Sequence, residues 1–97
     1  MMNKETRLRM GREKRRVARV NEILDLLQEE CGEVIVAVSK YRRFGEDNKE
    51  QLVQELGDVR LLIELLKAYE FATENELRIA ERKKSKKLVQ YSRVYEI

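Results

Sequence analysis

Residues 28–40 read QEECGEVIVAVSK, an apolar helical stretch in which Glu29, Glu30 and Glu33 interrupt the face that should close a core. Working outward, Val20, Leu24, Leu27, Cys31, Val34 and Val38 recur at steps of three and four, a stripe of about six helical turns. This spacing predicts a helix from Val17 to roughly Tyr41 or Arg42. The stretch FGEDNKE (44–50) is the clearest break in the chain. Gly45 suits the positive-φ position after a helix, and Asp47 or Asn48 suits the cap of the next. A second helix is expected from Lys49 to Tyr69, apolar at Leu52, Val53, Leu56, Val59, Leu62, Ile63, Leu66 and Tyr69. Leu61 and Leu65 lie nearly opposite that face, and a helix apolar on two sides points to a subunit interface in so small a domain. Thr73 followed by Glu76 forms a capping-box pattern for a third helix running to about Tyr91. The short break between the first two helices makes them an antiparallel hairpin.

Composition sets the same class. The chain has 97 residues, no proline, four glycines and 40% charged residues, the make-up of long helices. The expected fold is all-α: a hairpin plus a third helix, completing four-helix-bundle-like cores by oligomerisation. Core material is scarce at this size, so a homodimer or homotetramer is expected. Residues 1–16 read as a basic segment that frays or extends the first helix, with Gly11 as a weak breaker, and residues 17–97 as one domain. Cys31 is the sole cysteine and there is no histidine, which excludes an intrachain disulfide and a Cys/His zinc site. It reads as a small buried hydrophobe in a reducing compartment. The longest apolar run, Val34 to Val38, is far short of a membrane span, and the basic N-terminus lacks the apolar core of a secretory signal. A soluble cytoplasmic protein is expected.

The formal net charge of +3 conceals a partition along the chain. Residues 1–19 hold eight Lys/Arg against Glu5 and Glu13, and residues 82–97 hold six against Glu96. The middle, 20–81, holds seven against fifteen acids. An acidic centre between basic ends suits a cation-binding core with anion-binding flanks.

The acids of the centre fall on apolar faces. Glu30 and Glu33 are spaced i, i+3, as are Glu55 and Asp58. Glu30 shares a side with Leu27 and Val34, Glu33 precedes Ala37 by one turn, Glu55 precedes Val59, and Asp58 precedes Leu62. Clustered carboxylates repel, and desolvation raises their pKa values, unless a cation is held among them. Four carboxylates with no His or Cys select a hard cation, Mg²⁺ or Mn²⁺. Mg²⁺ keeps several waters and favours phosphate-bearing partners, so a phosphorylated ligand is implied.

EECGE (29–33) followed by ELGD (55–58) resembles the E-E-x-x-E … E-x-x-D signature of the MazG-like nucleoside triphosphate pyrophosphohydrolases, all-α enzymes related to the dimeric dUTPases. The resemblance covers about residues 20–70, with twenty-one residues between the motifs. It implies that Glu30, Glu33, Glu55 and Asp58 bind Mg²⁺ and that Glu29 acts close to the attacking water. It implies hydrolysis of a (d)NTP to the monophosphate and pyrophosphate, with Glu29 or Glu30 as the base. Phosphoryl transfer also needs cations for the β- and γ-phosphates. Lys40 and Arg43 at the end of the first helix are candidates, as are Lys83 and Lys87, which share a face of the third. The sequence is shorter than the longer members and shows no obvious base-recognition segment; Tyr41, Phe44 and Tyr69 are candidates to stack on a base. RLRMGREKRRVAR (7–19) supports a rival class, a helical nucleic-acid-binding protein, which leaves the inward acids unexplained. A non-catalytic helical assembly protein is the third class.

Overall fold

Asn3 starts the first helix. In the computed structural model, which describes residues 1–96, its side-chain oxygen accepts from the Thr6 amide at 2.8 Å. Its carbonyl accepts from the Arg7 amide at 3.1 Å. From there α1 (Lys4–Phe44) runs unbroken for 41 residues. The basic N-terminal segment is therefore an extension of the helix. Gly11 lowers helix propensity by about 1 kcal/mol, too little to interrupt a run of strong helix formers. Arg42 and Arg43 lie in the last turn, against the negative end of the helix dipole. Gly45 then takes φ 78°, as its position required, and a single 3₁₀ turn (Gly45–Asn48) reverses the chain. Asn48 precedes the second helix, α2 (Lys49–Ala68), but its side chain makes no capping bond. The third helix, α3 (Glu74–Tyr91), opens on the expected capping box. Glu76 N–H donates to Thr73 Oγ1 at 3.1 Å, and Thr73 N–H donates to Glu76 Oε1 at 2.9 Å.

α1 and α2 pack as the antiparallel hairpin. α2 is half as long as α1, so it covers only the C-terminal part of its partner, from about Val20 to the turn. The core is small. Val20, Ile23, Leu62 and Leu66 form one buried cluster, with Leu24, Leu27 and Leu65 packed around it. α3 contributes no buried residue and makes no extended packing with the hairpin. It is held at its start by Lys67, which pairs with Glu64 at 3.2 Å and with Glu74. Arg16 ties α1 to the end of α2 by donating to the Tyr69 carbonyl at 3.0 Å.

The result is elongated, 62 × 31 × 15 Å with a radius of gyration of 18.8 Å. A compact chain of this length would have about 12.5 Å. Its exposed area is 8698 Å² against roughly 5800 Å² for a compact monomer of 11.6 kDa. Much of the excess is apolar: Ile35 is 71% exposed, Leu61 60% and Val53 56%. One sequence expectation fails here. Cys31 is exposed rather than buried, because α2 meets α1 along Ile23 and Ala37, about a quarter-turn round from Cys31. At neighbouring Gly32 a Cβ would meet nothing within 4 Å, so no helix approaches it closely. Among the described residues no helix is long and apolar enough to cross a membrane.

The end of α2 carries a strained residue. Phe71 N–H reaches Leu66 O at 2.9 Å and Glu70 N–H reaches Lys67 O at 3.0 Å, the paired bonds of a Schellman motif. Glu70 occupies its left-handed position at φ 62°. Glycine is the residue of least strain there. Glu70→Gly is expected to stabilise the protein by about 0.5–1 kcal/mol, read as a higher urea midpoint, whereas Glu70→Val lowers it.

Candidate metal centre

The strip of α1 that faces α2 repeats every seven residues: Ile23 and Ala37 are buried and Glu30 between them is half-buried. That of α2 runs Glu55, Leu62, Leu66. Each helix therefore places one carboxylate in the seam where it should place a hydrophobe. Glu55 is the one buried charged residue among those described, at 7% exposure. Across the seam, one carboxylate oxygen from each of Glu30, Glu55 and Asp58 lies within 4.8 Å of the other two. Asp58 joins because it is one turn after Glu55.

No lysine or arginine among the described residues forms an ion pair with Glu29, Glu30, Glu33, Glu55 or Asp58. Gln51, one turn before Glu55, donates its side-chain N–H to Glu55 Oε1 at 2.5 Å. Two oxygens, Glu30 Oε1 and Glu55 Oε2, are buried with no hydrogen-bond partner. Such atoms need either a proton or a cation. The Glu30 pKa is pushed up to about 8, first by hydrogen bonding with Glu55, then by burial and by the charges of Glu33, Glu55 and Asp58. Glu55 is held below the ordinary carboxylate value by the hydrogen bond from Glu30, with Glu33 and Gln51 assisting against burial. Glu33 is raised, first by hydrogen bonding with Glu55 and next by its charge. The donor set fits a hard divalent cation: all oxygen, mutually repelling, and with two partnerless oxygens in the seam.

Two hollows flank the cluster. The larger, about 550 Å³, lies toward the turn and is lined by Glu33 and Glu55 together with Val36, Ala37, Lys40, Asn48 and Gln51. The smaller, about 260 Å³, is lined by Glu30 and Asp58 with Leu26, Leu61 and Leu62. Glu29 lies on the rim of both. Of the sequence candidates, Glu30, Glu55 and Asp58 converge, Glu33 borders Glu55 from the larger hollow, and Lys40 faces into it. Arg43, Lys83 and Lys87 line neither hollow; the two lysines stand exposed on α3. Tyr69 lines a separate depression with Leu26 and Leu65, and Phe44 is exposed. Gln51 and Asn48, which the sequence does not single out as candidate site residues, also line the larger hollow. The sequence signal for Gln51 is its i, i+4 spacing from Glu55; Asn48 reads in the sequence only as a cap.

A cluster of carboxylates in the seam of a helical hairpin, beside a ligand-sized hollow, is an arrangement that suits a divalent cation and a phosphorylated ligand. Residues 19–88 match the MazG nucleotide pyrophosphohydrolase domain, so the chain belongs to that family. No curated protein and no solved structure matches it significantly.

Because the Glu30 carboxyl holds a proton in the folded chain that it releases near 4.5 when unfolded, stability without metal falls as pH rises from about 4.5 to about 8. Mg²⁺ or Mn²⁺ competes with that proton. Thermal denaturation is expected to show a metal-induced rise in Tm that grows across this pH interval. Glu55→Leu is expected to raise the metal-free Tm at pH 8 and to abolish the metal response.

Proposed function

We propose that this protein hydrolyses (deoxy)nucleoside triphosphates to the monophosphate and pyrophosphate in a Mg²⁺-dependent reaction. The observation that carries the reading is the convergence of Glu30, Glu55 and Asp58 around two partnerless buried oxygens, in a chain of the MazG family. Glu30, Glu55 and Asp58, with Glu33 alongside, would hold the cation. When bound, it neutralises phosphate charge and lowers the pKa of a coordinated water.

The chain's own groups divide the remaining work. Of the two candidate bases, Glu30 would be held against the cation, whose charge lowers its basicity. Glu29, exposed and on the rim of both hollows, is the carboxylate that accepts the proton of the attacking water. Water adds to the α-phosphorus, the α–β bridging bond breaks, and pyrophosphate leaves with the electron pair. Lys40 in the larger hollow pairs with the departing phosphates. Arg43, Lys83 and Lys87 act at the phosphates only if substrate or a second subunit draws them in. The apolar floor of Val36 and Ala37, with the amides of Asn48 and Gln51, offers a surface and hydrogen-bond partners for a base.

The excess exposed apolar area supports assembly into a homodimer or homotetramer, in which a second hairpin completes a four-helix core. A nucleotide substrate would be met in the cytoplasm, the location this reading carries with it.

A dNTP panel with pyrophosphate detection tests the reading. Release is expected to depend on Mg²⁺ or Mn²⁺ and to fall at least 10²-fold in Glu33→Gln and Asp58→Asn, while Lys40→Ala chiefly raises KM. Absence of pyrophosphate release from every (d)NTP would sink it.

A further inference from the structure

Before Arg16, which donates to the Tyr69 carbonyl, the N-terminal turns of α1 have no hydrogen-bond or ion-pair partner in the hairpin among the described residues, and no role in the carboxylate site. On a helix the neighbours of Gly11 along one face are the residues three, four and seven before it and three, four and seven after it. In this chain those residues are Lys4, Arg7, Leu8, Lys14, Arg15 and Ala18, with Leu8 the one large apolar side chain, at the margin of the strip. All four cations are exposed and, among the described residues, none forms an ion pair. Arg12 lies beside the same strip, also exposed and unpaired. Among the described residues, the cations here engaged with carboxylates are Arg16, paired with Glu13 at 2.5 Å, and Arg19, paired with Glu22 at 2.9 Å. The strip therefore has small residues, Gly11 and Ala18, along its centre and unpaired cations along both edges. From Lys4 to Ala18 it extends about 21 Å at 1.5 Å per residue.

We infer that this strip is a sequence-independent docking surface for double-stranded DNA. An α-helix of about 10–12 Å diameter enters a major groove of about 12 Å. Cations on both edges then meet the two phosphate walls, while Gly11 and Ala18 let the helix backbone approach the groove floor. The strip is longer than one nucleoside triphosphate needs. A membrane surface suits it poorly: Met10 and Val17 share one side of the helix and Leu8 lies on nearly the opposite side, so no single apolar face is available to bury. The acidic hairpin, which repels phosphates, begins beyond the strip, and α1 carries the strip clear of it as one continuous helix.

The test is fluorescence anisotropy of the full chain with a labelled 20-base-pair duplex of arbitrary sequence in EDTA. Binding is expected at 50 mM NaCl and is expected to weaken on the order of 10²-fold by 200 mM, the slope of about four phosphate contacts. The triple variant Arg7→Gln, Lys14→Gln, Arg15→Gln is expected to bind at least tenfold more weakly, with a salt slope shallower by about one per residue removed. Gly11→Glu, which sets a carboxylate in the strip and improves helix propensity, is expected to do the same with unchanged far-UV circular dichroism. Both variants keep wild-type pyrophosphate release, and Glu33→Gln keeps DNA binding, so failure here is distinct from failure of the hydrolase reading. No duplex binding at 50 mM NaCl overturns the inference. So does binding that both strip variants leave intact, or a preference for phosphatidylserine vesicles over DNA that the triple variant abolishes.

Discussion

Two carboxylates, Glu30 and Glu55, stand where two helices should seal against each other. The seam is hydrophobic on one side of them, where Val20 and Ile23 meet Leu62 and Leu66. On the other side it opens toward the turn into a hollow floored by Val36 and Ala37. The cluster is thus at the boundary between the part of the hairpin that holds the molecule together and the part that admits a ligand. Like charges there cannot all stay ionised without help, because a low-dielectric seam magnifies their repulsion and withholds water from their oxygens. A proton on Glu30 relieves that repulsion in the protein alone, and a divalent cation held there would relieve it more completely.

That arrangement consumes core. With carboxylates occupying the middle of the buried strip, the chain closes only a small apolar cluster and leaves large hydrophobes such as Ile35, Val53 and Leu61 in solvent. Exposure on both flanks of α2 follows from the hairpin having only one neighbour for each helix. The same shortage explains why the ends of the hairpin are fastened by polar devices. Arg16 reaches the Tyr69 carbonyl, Lys67 bridges Glu64 and Glu74, and Thr73 and Glu76 cap α3 reciprocally.

Charge segregation along the chain becomes separation in space. The acidic residues are concentrated in the hairpin, while the basic runs lie in the first turns of α1 and in α3, neither of which folds over it. A long helix is a stiff spacer, so cations that compaction would have drawn against the carboxylates remain exposed and available to external anions.

The helices themselves were legible in the residues. Apolar spacing, the glycine after α1 and the Thr73–Glu76 box are local signals, and local hydrogen bonding and sterics are enough to set them. The pairing of Glu30 and Glu33 with Glu55 and Asp58 was readable as two i, i+3 motifs on apolar faces, because helical periodicity is fixed before any helix finds its neighbour. Which face became the seam was decided only by packing. The apolar arc of α1 is broader than one contact, and α2 settled against Ile23, Glu30 and Ala37. That choice left Cys31 outside and Gly32 exposed, and it turned Asn48 and Gln51 toward the hollow beside Glu33. The loose placement of α3, and with it the distance of Lys83 and Lys87 from the site, was likewise beyond sequence, since nothing local to a helix states what it packs against.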